Sequence, residues 1–227
     1  MKRALSAIAA AAATVALLAP LVATANHRPG HVKDANPNLV ISVDPNPIRW
    51  PKRTTISGLL RGSDRANKTV ELQEKPHPFR GGFKHVATTT TDAKGAYRFR
   101  NRPDVHTTYR VVADLNPDEV SGEETVRSRM KITRGVSDKT PIDNDEIAFF
   151  GRVGPAHPGH EVKIQRRRRS GTWKTMTTTR LSEADSTNHS EYSTEIQMNR
   201  DGVWRAKVRG DAHHRGNKSR RIRIDVL

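Results

Sequence analysis

The sequence predicts an all-β fold, with two antiparallel β-sandwich domains in tandem behind a cleaved signal peptide. Three observations carry that prediction. Short runs alternate apolar and polar residues, as Leu39, Ile41 and Val43 do, which is the period-2 pattern of a half-buried strand. No stretch after the first 25 residues shows the 3.6-residue apolar period of an amphipathic helix. Five segments recur in the same order at offsets of 90 to 95 residues: TISGLL and FFGRV aligned on Gly58 and Gly151, VELQ and VKIQ on Val70 and Val162, FKHVATTTT and WKTMTTTR on Phe83 and Trp173, TYRVVA and VWRAKV on Tyr109 and Trp204, SRMKIT and SRRIRI on Ser128 and Ser219. A repeat of that period is too long for a solenoid unit and suits sandwich domains of roughly 80–100 residues.

In chain order, Lys2 and Arg3 precede the apolar run Ala4–Val22, which Pro20 breaks before the small residues Ala23-Thr24-Ala25. This is the layout of a secretory signal peptide over residues 1–25. Residues 26–35 are polar and aperiodic and read as a flexible leader. The first sandwich is expected over 36–136. Its strands start at Leu39, Thr54, Lys68, Phe83, Tyr97, Thr108 and Thr125, with prolines 45 and 47 ending the first because proline cannot donate to a ladder. Asp92-Ala93-Lys94-Gly95 is a tight turn, Gly95 taking the positive φ. Residues 137–146 are expected to link this domain to a second one over 147–227. There the longer SEADSTNHSE replaces DAKG, so the tight turn should be lost.

Composition narrows the function. Forty Lys and Arg against 24 Asp and Glu give a formal charge of +16, still near +14 without Lys2 and Arg3. Such an excess favours polyanionic partners. Cysteine is absent, which removes thiol nucleophiles and zinc–thiolate sites and leaves core burial and sheet hydrogen bonds to hold the fold. No later segment is apolar enough to span a bilayer, and there is no wall-sorting motif.

The Gly-x-Leu, Val-x-Leu-Gln, aromatic-Lys-x-x-x-Thr and Thr-Tyr-Arg-Val elements resemble the bacterial Ig-like repeats of secreted actinobacterial proteins, and TTTTDAKGAYRF also resembles the hairpin of carboxypeptidase-regulatory-like (prealbumin-like) modules. The resemblance covers nearly the whole mature chain. It implies Ig-like sandwiches serving as spacer, adhesive or accessory modules.

No catalytic constellation stands out: there is no Gly-x-Ser-x-Gly, and nine of the ten histidines fall in predicted loops, His85 alone in a strand. No cofactor is expected. His157/His160 and His213/His214 are the only pairs with a metal character, and zinc asks for three or four converging ligands. Asp143, Asp145 and Glu146 are calcium candidates at the expected domain junction, although calcium takes six to eight oxygens. Arg166, Arg167, Arg168 and Arg169 mark a hairpin tip and, with Arg220, Arg221 and Arg223, form the candidate polyanion-binding set. Trp50, without a counterpart in the second repeat, is the candidate exposed sugar-stacking platform. The resulting expectation is a non-enzymatic, secreted or cell-surface binding and spacer protein. Its partners would be anionic cell-wall polymers or an extracellular protein, with no specific nucleic acid and no membrane span. The alternative is an accessory carbohydrate-binding module or a component of a secreted carbohydrate-active enzyme.

Overall fold

The computed structural model describes residues 38–183 and 185–227; the expected signal peptide (1–25) and leader (26–35) lie outside them. The described chain is all-β. The first half holds β1 (Leu39–Asp44), β2 (Ile48–Arg49), β3 (Thr54–Leu60), β4 (Thr69–Pro76), β5 (Lys84–Thr90), β6 (Ala96–Asn101), β7 (Thr107–Ala113), β8 (Glu119–Val120) and β9 (Glu124–Val126). The second holds β10 (Ser128–Arg129), β11 (Lys131–Ile132), β12 (Gly135–Val136), β13 (Glu146–Gly154), β14 (Glu161–Arg167), β15 (Trp173–Arg180), β16 (Ser190–Gln197), β17 (Gly202–Val208), β18 (Asn217–Lys218) and β19 (Ile222–Ile224).

Two sheets with order β1-β3-β6 and β5-β4-β7-β8, with β9 also on β7, enclose a core built on Leu39, Ile56, Leu72, Tyr109 and Val111. The second half repeats this layout. β11, β12 and β16 flank β13, and β15-β14-β17-β18, with β19 on β17, face them across a core containing Met130, Phe149, Ile164, Tyr192 and Trp204. Alternation explains the burial: in β4, Val70 and Leu72 point in while Glu71 and Gln73 lie on the opposite face.

The repeat is legible atom by atom. Tyr97 Oη donates to the Val40 carbonyl at 2.6 Å and Tyr192 Oη to that of Thr133 at 2.8 Å, each crossing the glycine (Gly58 or Gly151) beside it in register. Register slips by a bulge at Leu72/Gln73 in one copy and at Ile164/Gln165 in the other. Ser121 and Ser219 each accept a strand N–H, from Val111 at 2.8 Å and Ala206 at 2.9 Å, and each donate to the next residue's carbonyl at 2.8 Å.

That last pair corrects the sequence alignment. Ser219 corresponds to Ser121, not to Ser128, so SRMKIT does not close the first sandwich. Met130 and Ile132 are buried in the second core, and β11 and β12 pair with β13. Residues 137–146 do not link the domains either: Ser137 N–H bonds to Ala148, Asn144 to Met198 and Asp143 to Leu227, binding this segment to the second sandwich. The chain passes between cores at 127–129, where Ile48 and Arg49 pair in parallel with Ser128 and Arg129. The second hairpin also keeps a tight turn. Asp185 Oδ1 accepts the N–H groups of Thr187 and His189, and Asn188 takes φ +58°, as Asp92 Oδ1 accepts from Lys94 and Ala96 while Gly95 takes φ +85°. Tyr97 follows Gly95 by two positions and Tyr192 follows Asn188 by four, so the second turn stands farther from its sheet.

Candidate functional site

Cationic side chains gather on the outer face of the sheet containing β14, where Lys163, Gln165 and Arg167 alternate outward, whereas Arg166 lies in register with buried Trp204 on the core-facing side. Trp173 lies in register with Arg167, and Gln165 with Arg205. Arg205 donates to Gln165 Oε1 at 3.0 Å, and its guanidinium stacks 3.8 Å from the centroid of half-buried Trp173, with that of Arg221 at 5.8 Å. Burial, then the charge of Arg221, lowers the pKa of Arg205. The Arg166 guanidinium lies 5.9 Å from the Trp204 ring. Arg168 and Gly171 close the hairpin turn, leaving Arg167, Arg168 and Arg169 exposed at its tip, while Arg166, expected there as well, lies within β14 opposite Trp204. Arg220 and Arg221 are exposed near the opposite edge, and Arg223 is neutralised by Asp225 at 2.7 Å. No carboxylate among the described residues pairs with Arg166, Arg167, Arg205 or Arg221.

The same scaffold occurs in the first sandwich with different charges. Arg110 donates to Gln73 at 2.8 Å and covers Phe83 at 4.2 Å. Strand β4 reads Val70-Glu71-Leu72-Gln73-Glu74, and β14 reads Val162-Lys163-Ile164-Gln165-Arg166, so two acids become two bases. Across the ladder, Glu71 faces Val112, whereas Lys163 faces Lys207. Directly opposed like charges destabilise a sheet. Lys163, Lys207 and Arg209 line a groove of about 560 Å³ on that face.

Two expected sites are not formed. Trp50 is only 7% exposed: it packs against Gly154, where a Cβ would collide with the indole, meets the His189 ring edge-on at 5.1 Å, and donates to Asp104 Oδ1 at 3.2 Å. It plugs the seam between sandwiches and offers no stacking face. Asp143, Asp145 and Glu146 lie at the Glu146 end of β13, roughly 30 Å along the nine-residue strand from the seam at Gly154. Their oxygens serve local bonds, Asp143 to the Asn144 amide and Asp145 to Ile142 N–H, both 3.0 Å.

Sequence reasoning missed the seam itself. Loops after β13 and β17 meet the loop before β7 there, with His106 N–H bonded to the His213 carbonyl at 3.0 Å. His157 and His214, both in predicted loops, are only 8% and 5% exposed. Burial lowers the pKa of both, and burial with the neighbouring His214 charge takes His106 to about 4. Burial alone would raise the Asp211 carboxyl, but the amides of His214 and His213 hold it below the usual range. Among the described residues, His157, Asp211 and His214 are the one group that converges as metal ligands do. The pairs His157/His160 and His213/His214 hinted at it, but their convergence depends on two loops, with His157 and His214 57 positions apart.

The sequence matches no protein-family model and no curated protein. Among solved structures the chain is similar to a tetra-tandem repeat in the extending region of a large adhesion protein, at 18% identity and a TM-score of 0.39, over 83% of this chain and 49% of that one. It is also similar to the BSP domain of a biofilm-associated protein, at 14% identity and a TM-score of 0.27, over 82% of this chain and 29% of that one. The chain thus spans about half the length of the first and under a third of the second.

Proposed function

We propose that this protein is a non-enzymatic, exported, Ig-like tandem module that docks anionic cell-surface polymers on the outer face of its second sandwich, with the first sandwich as spacer. The observation that carries this reading is the charge inversion between equivalent strands. On the outer face Glu71 is replaced by Lys163, and Lys207 is set opposite it where the first sandwich has Val112, on a scaffold whose Gln, Arg and aromatic are otherwise kept. The imbalance extends to the halves: residues 38–127 carry 15 basic and 11 acidic side chains (+4), residues 128–227 carry 21 and 12 (+9).

The test is binding of the purified protein to wall material and to polyphosphate across a salt series. Affinity should fall steeply with salt. A double variant copying the first sandwich on this face, Lys163→Glu and Lys207→Val, should lose most binding while remaining folded. Affinity independent of salt, or untouched by the double variant, contradicts the reading.

A further inference from the structure

The seam holds a donor set that the sheet face does not use. Each of two buried imidazoles has one nitrogen committed to a carbonyl: His157 Nδ1 to Pro155 O at 2.6 Å, and His214 Nε2 to Asp104 O at 2.5 Å. A carbonyl oxygen only accepts, so both committed nitrogens carry the hydrogen. In the neutral rings the remaining nitrogens, His157 Nε2 and His214 Nδ1, are bare lone pairs, and they face each other at 3.1 Å. Asp211 completes the set. Its Oδ1 is anchored by the N–H groups of His213 at 2.8 Å and His214 at 2.7 Å, which leaves Oδ2 aimed at His157 Nε2 at 3.1 Å. Two lone pairs and a carboxylate oxygen directed at one point leave an acceptor-only cluster, which a metal ion or an added proton would satisfy.

The spacing fits a small metal ion. Zinc at 2.0–2.1 Å from tetrahedral N and O ligands holds those atoms about 3.3 Å apart. Here the separations are 3.1 Å for His157–His214 and 3.1 Å for His157–Asp211, and one ligand atom from each of the three residues lies within 4.8 Å of the others. Metal-bound histidines typically donate their second nitrogen to a carbonyl or carboxylate, which fixes tautomer and ring orientation, and both rings do so here. Two nitrogens and one oxygen suit a borderline divalent ion and would be a poor cage for calcium.

We propose that His157 Nε2, His214 Nδ1 and the Asp211 carboxylate bind one divalent transition-metal ion, zinc by geometry, with the fourth position open to solvent. Because Asp104 belongs to the first sandwich and grips His214 from behind, the ion would also brace the seam.

The experiment is titration of tag-free protein with zinc chloride by calorimetry, followed by cobalt(II) substitution read by visible absorption. One ion per chain and an intense tetrahedral cobalt spectrum are expected. His157→Gln and Asp211→Asn should each weaken zinc by more than about 100-fold, beyond the loss usual for an outer-shell residue. His160→Gln and His213→Gln, which alter neighbouring histidines outside the triad, should bind like wild type. At zinc 100-fold above Kd the melting temperature should rise roughly 5–10 °C. Asp211→Asn keeps an oxygen for the two amides, and its metal-free melt checks folding. Absence of stoichiometric binding, or triad variants that bind zinc as wild type does, overturns the proposal.

Discussion

The two sandwiches share a scaffold and differ at two places, one sheet face and one set of loops. On the face, Gln73–Arg110–Phe83 and Gln165–Arg205–Trp173 superpose in role, while the surrounding charges change sign. In the loops, the first sandwich offers Arg61–Lys68 and Asp114–Asp118, without histidine, where the second places His157, Asp211 and His214. The turn after β15 also extends to set His189 against Trp50. What is common holds each core together, and what differs builds the cationic face and the seam. A duplicated domain keeps its packing residues under constraint while its outer face and end loops are free to diverge.

The largest break in this comparison should come at the seam. Trp50→Ala removes a buried indole that joins the sandwiches and should cost about 3–5 kcal/mol. Denaturant unfolding should then separate into two transitions, one per core; a single transition at the wild-type midpoint would mean that Trp50 does not couple them.

Next come the matched tyrosines. Tyr97→Phe and Tyr192→Phe each delete one buried hydroxyl that donates to a neighbouring strand, and each should cost about 1–2 kcal/mol. Equal costs in the two halves, read by chemical denaturation, sharpen the view that these hydroxyls are the repeat's shared structural bond.

The paired arginines separate stability from binding. Arg110→Ala and Arg205→Ala each lose a stack on an aromatic and a bond to glutamine, about 0.5–1 kcal/mol. Only Arg205→Ala should weaken polyphosphate binding and flatten its salt dependence. Equal effects of both variants on binding would place the polymer on both faces. Lys207→Val, which removes the like-charge opposition to Lys163, should gain a few tenths of a kcal/mol while losing affinity.

Much of this fold was legible in the sequence because period-2 alternation and a repeat near 90 residues are local or self-referential signals. Four of the five matched segments keep their register in space. The fifth failed because SRMKIT and SRRIRI are both short basic–apolar strands. Nothing in Ser128 distinguishes the end of one sandwich from the start of the next until Met130 is seen in the second core. The arginine tip was legible as a charge run. Trp50 was misread because an unmatched aromatic is exposed or buried according to whether a neighbouring domain covers it, and Gly154 covers it from 104 residues away. The histidine triad was hidden for the same reason. Its lone pairs point together only because Pro155 and Asp104 carbonyls orient the two rings.

The smallest expected effect contrasts Glu74 with its counterpart Arg166. Burial raises the Glu74 pKa, with the Asn101 amide at 3.2 Å opposing the shift. A carboxyl whose folded pKa lies above its unfolded value binds its proton more tightly when folded. The stability it contributes is present below the unfolded pKa of 4.5 and is lost as pH rises through the raised folded value. Glu74→Gln keeps an oxygen for Asn101 and removes the buried charge. It should therefore raise the melting temperature by roughly 1 °C at neutral pH, an advantage that shrinks toward zero near pH 4. Arg166→Gln serves as the control and should shift the melt by the same amount at both pH values. If Glu74→Gln gave a pH-independent shift, the buried carboxylate would not be what distinguishes the first strand from the second, and solvation at this sandwich edge would be alike in both halves.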